Sequence, residues 1–165
     1  MNALTGLSIV AILTGCSSNQ AEVKDSNKHQ NHENHSEHNQ TGDIREQTKN
    51  NETLPTFLAG QEQQIQQIYL IAAQHTDLLK HIPCYCGCGE SVGHKSNLDC
   101  FINDVKEDGT IVWDSHATTC VNCMEIAVES AKLKQEGKTP LEIRKYIDNK
   151  YKDGFAKPTD TPMPI

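Results

Sequence analysis

The chain has 165 residues, 36% hydrophobic, 22% charged and 5% aromatic, with 15 Lys and Arg against 22 Asp and Glu for a net charge of -7. One domain is the expectation at this length, and the acidic excess leaves no cationic surface to neutralise a phosphate backbone, so nucleic acid is not an expected partner. The distinctive feature is seven Cys and eight His, unevenly placed: Cys16 stands apart, the other six Cys lie between positions 84 and 123, and His29, His32, His35 and His38 recur every third residue.

Residues 1–15 carry no charged side chain and form an apolar stretch too short for the roughly 20 residues that a bilayer crossing needs. This reads as a signal peptide, although no Lys or Arg precedes the apolar part. It ends in Leu13-Thr14-Gly15-Cys16, which resembles a bacterial lipobox. The resemblance implies a lipid-modified Cys16 as first mature residue, and acyl chains there would hold the protein at the outer face of the bacterial cell membrane. Membrane contact through this anchor is therefore expected, in an extracytoplasmic location.

Residues 16–53 are dominated by Asn, Gln, Ser, Glu, Lys and His, with Val23 and Ile44 the only branched aliphatics. A segment of this kind buries too little surface to offset its ordering entropy, which predicts a disordered tether. His29, His32, His35 and His38 would give it weak, pH-dependent affinity for metal, or act only as part of a solubilising spacer.

Residues 54–152 are expected to form one small α+β domain, predominantly helical, with about three helices and a short β-hairpin. Ile65, Ile68, Tyr69, Ala72 and Ala73 form a helical stripe between about 61 and 74, with a further turn from Thr76 to Lys80 before Pro83. A second helix is predicted from about Ala117 to Glu136, stopped by Gly137. The third opens on Thr139-Pro140-Leu141-Glu142, a capping box with proline at the first helical position, and turns Ile143, Tyr146 and Ile147 inward. Residues 101–105 and 110–113 flank Lys106-Glu107-Asp108-Gly109 as a hairpin, with Trp113 in the core. The Gly- and Pro-containing tail, 153–165, is expected to be flexible.

The chemistry concentrates in Pro83-Cys84-Tyr85-Cys86-Gly87-Cys88. Alternate positions in a looped backbone bring three thiols close together, facing Cys120-Val121-Asn122-Cys123 at i, i+3 on a helix, with Cys100 as a further partner. A Cys-x-Cys-x-Cys loop opposite a Cys-x-x-Cys helix is a metal-site pattern. His94 and His116 are the imidazoles placed to join it. The string resembles a bacterial envelope family defined by the motif Pro-Cys-Tyr-Cys-Gly-Cys, and the likeness extends over roughly residues 55–152, including Gly93-His94, Asp99-Cys100-Phe101 and Cys120-x-x-Cys123. That family implies a domain of uncharacterised function, often in lipoproteins; it implies no activity.

Three readings of the six thiols stand at this level. Soft sulfur donors select copper or zinc over calcium or magnesium, giving a metal site of Cys84, Cys86, Cys88, Cys100, Cys120 and Cys123 with His94 or His116, for buffering or delivery to a metal-accepting envelope protein. Alternatively, Cys84, Cys86 and Cys88 pair with Cys100, Cys120 and Cys123 in three disulfides that staple an extracellular interaction domain. In the third, Cys120 and Cys123 exchange disulfides, with the helix dipole lowering the Cys120 thiol. No phosphate loop, serine-nucleophile motif or dinucleotide fingerprint is present, so a conventional enzyme is not expected.

Overall fold

The computed structural model describes residues 36–38 and 42–165; the stretch read as a signal peptide, Cys16, His29, His32 and His35 lie outside the described residues. Within these bounds the fold is α+β. A four-stranded antiparallel sheet runs in the order β1-β2-β4-β3, with β1 at Ser36–His38, β2 at Ile44–Thr48, β3 at Ile102–Val105 and β4 at Ile111–Asp114. The helices are α1 (Gln63–Gln74), α2 (Thr76–Leu79), α3 (Gly89–Val92), α4 (Val121–Gln135) and α5 (Pro140–Tyr151). Among the described residues no helix is long and apolar enough to cross a membrane.

The helical stripe of α1 buries Ile68, Tyr69, Ala72 and Ala73 and packs against α4, which supports α5. Each fully buried Ile, Leu or Phe contributes about 1.5–3 kcal/mol, and the fully buried rings of Tyr69, Phe101 and Trp113 pack together among them. Tyr69 meets Phe101 edge-on at 5.1 Å, and its hydroxyl donates to the Asp114 carbonyl at 2.9 Å. The hairpin forms as its sequence requires: Ile102 faces Trp113, Val105 faces Ile111, and Gly109 takes φ 86°, a left-handed conformation that a side chain would resist. The capping box of α5 is complete, Thr139 Oγ1 accepting from Glu142 N while the Glu142 carboxylate accepts from Thr139 N.

Three expectations need correction. The tether does not reach residue 53, because Ile44–Thr48 is a strand paired with β4, Arg45 facing Asp114 and Thr48 facing Ile111. Its inward positions are polar, which hid the alternation. The Glu46 carboxylate accepts from Thr56 N and Thr56 Oγ1, and Thr48 Oγ1 accepts from Trp113 Nε1 at 2.8 Å, so each is buried with its hydrogen bonds made. The tail is ordered as well, tied back to the backbone of Cys84, Tyr85 and Lys95 and to the Arg144 side chain. On α5, Tyr146 faces outward, its hydroxyl donating to Glu129, while Arg144 takes the inward place beside Ile143 and Ile147. The Arg144 guanidinium donates to both carboxylate oxygens of Asp148 and to the carbonyls of His81, Thr161 and Pro162, which satisfies it in the interior.

Candidate metal centre

The motif loop is held from outside by the C-terminal arm. Cys84 N donates to Thr159 Oγ1 at 2.9 Å, Thr159 N donates to the Cys84 carbonyl at 3.0 Å, and Ala156 N donates to that of Tyr85 at 3.3 Å. Two residues apart, Cys84 and Cys86 bring their sulfurs to within 2.9 Å of each other. The intervening Tyr85 is anchored on α5, its hydroxyl donating to Asp148 at 2.7 Å and its ring stacked on Tyr151. Gly87 ends the alternation with φ 82°, so the backbone swings and Cys88 does not follow Cys84 and Cys86. It stands at the start of α3, half-exposed and outside every group of converging ligand atoms among the described residues. The two glycines make room for the arm: a Cβ on Gly87 would stand 3.2 Å from Ala156 Cβ, and one on Gly89 2.5 Å from Thr159 Cγ2.

The second clamp is local. A single long helix from Ala117 is not what forms: a 3-10 turn, His116–Thr119, is followed by Cys120 in extended conformation as the N-cap of α4. Cys120 Sγ accepts from Cys123 N at 3.3 Å, the place a Ser or Asp oxygen usually fills. Cap and third helical residue thus bring their sulfurs 2.6 Å apart. Asn97, fully buried, donates through Nδ2 to the Cys123 carbonyl and fixes that residue from the other side.

Between the clamps lie Cys100, His94 and His116. Cys100 Sγ is 3.7 Å from Cys84 Sγ and 3.5 Å from His94 Nδ1. The His94 and His116 rings meet edge-on at 4.8 Å. Both are more than nine-tenths buried, and Nε2 of each has no hydrogen-bond partner. His116 is positioned twice over: its backbone N donates to the Asp114 carboxylate at 2.9 Å, and its Nδ1 faces the Asp43 carboxylate at 3.4 Å. A carboxylate on one ring nitrogen with the other left open is how metal-binding histidines are oriented. Asp43, Asp114 and Asn97 carry no motif, and Asp43 fell in the stretch read as tether.

Three overlapping groups of ligand atoms result, each with its members within 4.8 Å of one another: Cys86, His116, Cys120 and Cys123; Cys84, Cys100 and Cys123; and His94, Cys100 and His116. The first group has the Cys₃His composition of a four-coordinate site, and its donor atoms, all within 4.8 Å of one another, are near enough to close on one ion whose tetrahedral bonds of about 2.3 Å set donors about 3.8 Å apart. All six cysteines of the domain are free, and even the closest sulfurs are further apart than the roughly 2.05 Å of a bond, so the expected disulfide pairing is not formed. His38 falls on β1 opposite Ile44, away in sequence from the rest.

The thiols titrate as one system. Hydrogen bonds from Cys100, Cys120 and Cys123 hold Cys86 well below the usual thiol range, and those from Cys100 and Cys123 lower Cys84. Cys123 is pushed far up by Cys100 first, then by Cys120, Cys84 and Cys86. For Cys100 and Cys120 the bond with Cys123 lowers the thiol, but their other thiol neighbours and burial outweigh it; Cys100 ends raised and Cys120 rises to about 11. The depressed Cys120 expected of a redox pair is therefore not found. Burial pushes Cys88 up to about 12. His94 is lowered by burial and by His116, which keeps it in the neutral, ligating form; His116 is raised by Cys86 first and by Asp43.

Fold and site together define a small α+β domain whose interior holds a thiol and imidazole cluster able to take a metal ion. The chain belongs to the family described as protein of unknown function with PCYCGC motif, which it matches over residues 5–164. No curated protein and no solved structure matches it.

Proposed function

We propose that this is an envelope lipoprotein that binds a thiophilic metal ion, copper or zinc, through Cys86, Cys120, Cys123 and His116, and that it buffers the ion or passes it to a metal-accepting envelope protein. The observation that carries the reading is the convergence of these four donors within 4.8 Å, with the His116 ring oriented by Asp43 and its Nε2 left open. Sulfur-rich donors favour copper and zinc over the hard cations. The lipobox-like Leu13–Cys16 supports an anchor on the outer face of the cell membrane, and the His-bearing segment after it supports a role in collecting ions. Bound metal would act by neutralising thiolate charge and cross-linking the motif loop to the start of α4.

The test is to reduce the purified full chain, load it with Cu(I) or Zn(II), remove loosely held ions with a competing chelator, and weigh the product by native mass spectrometry. Retained metal with loss of thiol reactivity at Cys86, Cys120 and Cys123 is expected. A product without metal and with all six thiols of the domain still reactive overturns the reading.

A further inference from the structure

A single ion does not use all the sulfur assembled here. Cys84 and Cys100 lie outside the four-donor group, yet both are almost fully buried and both converge on Cys123, with Cys84 Sγ 3.6 Å from Cys123 Sγ and 3.7 Å from Cys100 Sγ. Three sulfurs about a common centre at bonds of about 2.3 Å stand roughly 4 Å apart, so these separations are those of a second, three-donor position. Cys123 belongs to both groups. A thiolate has lone pairs enough to bridge two ions, and this one is held from both ends, its N–H by Cys120 Sγ and its carbonyl by Asn97. Resting on the metal-binding reading above, we propose that the centre is dinuclear: one Cu(I) is held by Cys86, Cys120 and Cys123 with His116, a second by Cys84 and Cys100, and the Cys123 sulfur bridges them.

The donor count distinguishes the two metals. Cu(I) is satisfied by three soft donors, whereas Zn(II) in protein sites of this kind takes four. The second position offers three sulfurs, each no more than 1% exposed, and among the described residues no fourth ligand atom converges on all three. The protein therefore takes two Cu(I) and one Zn(II).

Native mass spectrometry of the reduced full chain decides this, after titration with Cu(I) in the presence of bicinchoninate, which strips ions held weakly by the His-bearing segment, and separately with Zn(II) in the presence of a competing chelator. Two retained Cu(I), one retained Zn(II) and a copper–copper vector in X-ray absorption are expected. Cys84→Ala, with its fold checked by circular dichroism, retains one Cu(I); Cys100→Ala gives the same result by an independent change. Saturation of the unmodified chain at one Cu(I), or a second Cu(I) that persists in a folded Cys84→Ala protein, overturns the dinuclear centre and leaves the metal-binding reading intact. Two retained Zn(II) overturn the three-donor second position. Retention of neither metal overturns both readings.

Discussion

The two clamps of the centre are built by different means. Cys120 and Cys123 owe their proximity to one turn of chain: an extended cap, a helix start and a single N–H to sulfur hydrogen bond. Cys84 and Cys86 owe theirs to residues more than 60 positions away, with Thr159 and Ala156 holding the loop backbone and Asp148 and Tyr151 holding the tyrosine between the thiols. A local clamp persists whenever its helix forms. A clamp made by tertiary contacts is only as firm as the arm that closes it, so on the proposed metal-binding function the loop is the side where an ion would enter or leave. The cleft beside it, about 760 Å³, is lined by Gly87, Gly89, His94, Lys95 and the arm residues 156–161, and so reaches the centre at His94.

The largest expected effect comes from Cys123, the residue that the four-donor and three-donor groups share. Cys123→Ser should abolish retention of Cu(I) altogether, as read by native mass spectrometry, while Cys120→Ser should remove only the first ion. Acid comes next. Because Cys120 and Cys123 are raised, they hold protons at neutral pH that metal must displace, so affinity should fall as pH falls, by about tenfold per unit for each proton displaced. Competition titrations between pH 6 and 8 measure that slope, and a flat profile would show that Cys120 and Cys123 give up no protons to the ion. Asp43→Asn leaves every ligand in place but loosens the orientation of His116, and should weaken binding by about 10- to 100-fold without changing stoichiometry.

The loop clamp can be broken from the side of the arm. Gly89→Ala drives a Cβ into Thr159 Cγ2 and should cost about 1–3 kcal/mol in urea unfolding. The double change Gly89→Ala with Thr159→Ser should recover most of it, because serine keeps the hydroxyl that accepts from Cys84 N and lacks the offending methyl. Failure of that rescue would mean that the arm does not set the loop. The smallest effect is expected at Cys88, where Cys88→Ser should leave the number of retained ions unchanged, since its sulfur belongs to none of the groups of three or more converging donors among the described residues.

Much of this architecture could be read from residue order. The stripe of α1, the box Thr139-Pro140-Leu141-Glu142 and the Gly109 turn are local patterns, and local hydrogen bonding makes each of them. Strand β2 was not legible because its buried positions, Glu46 and Thr48, are polar and become tolerable inside only when Thr56 and Trp113 supply their partners. The arm was missed for a similar reason: proline and glycine signal irregular backbone, and irregular backbone is ordered when distant groups such as Arg144 and Cys84 take up its carbonyls and amides.

By itself the sequence determined which atoms would do the chemistry: six thiols grouped between 84 and 123, with a spacing that speaks of a shared site. Which of them meet was decided by the tertiary structure. A left-handed Gly87 turned Cys88 away, buried packing brought in Cys100, and a strand from the presumed tether delivered Asp43 to His116. Spacing along a chain limits how far apart two donors can be, but the direction in which each points depends on backbone torsions and on neighbours remote in sequence.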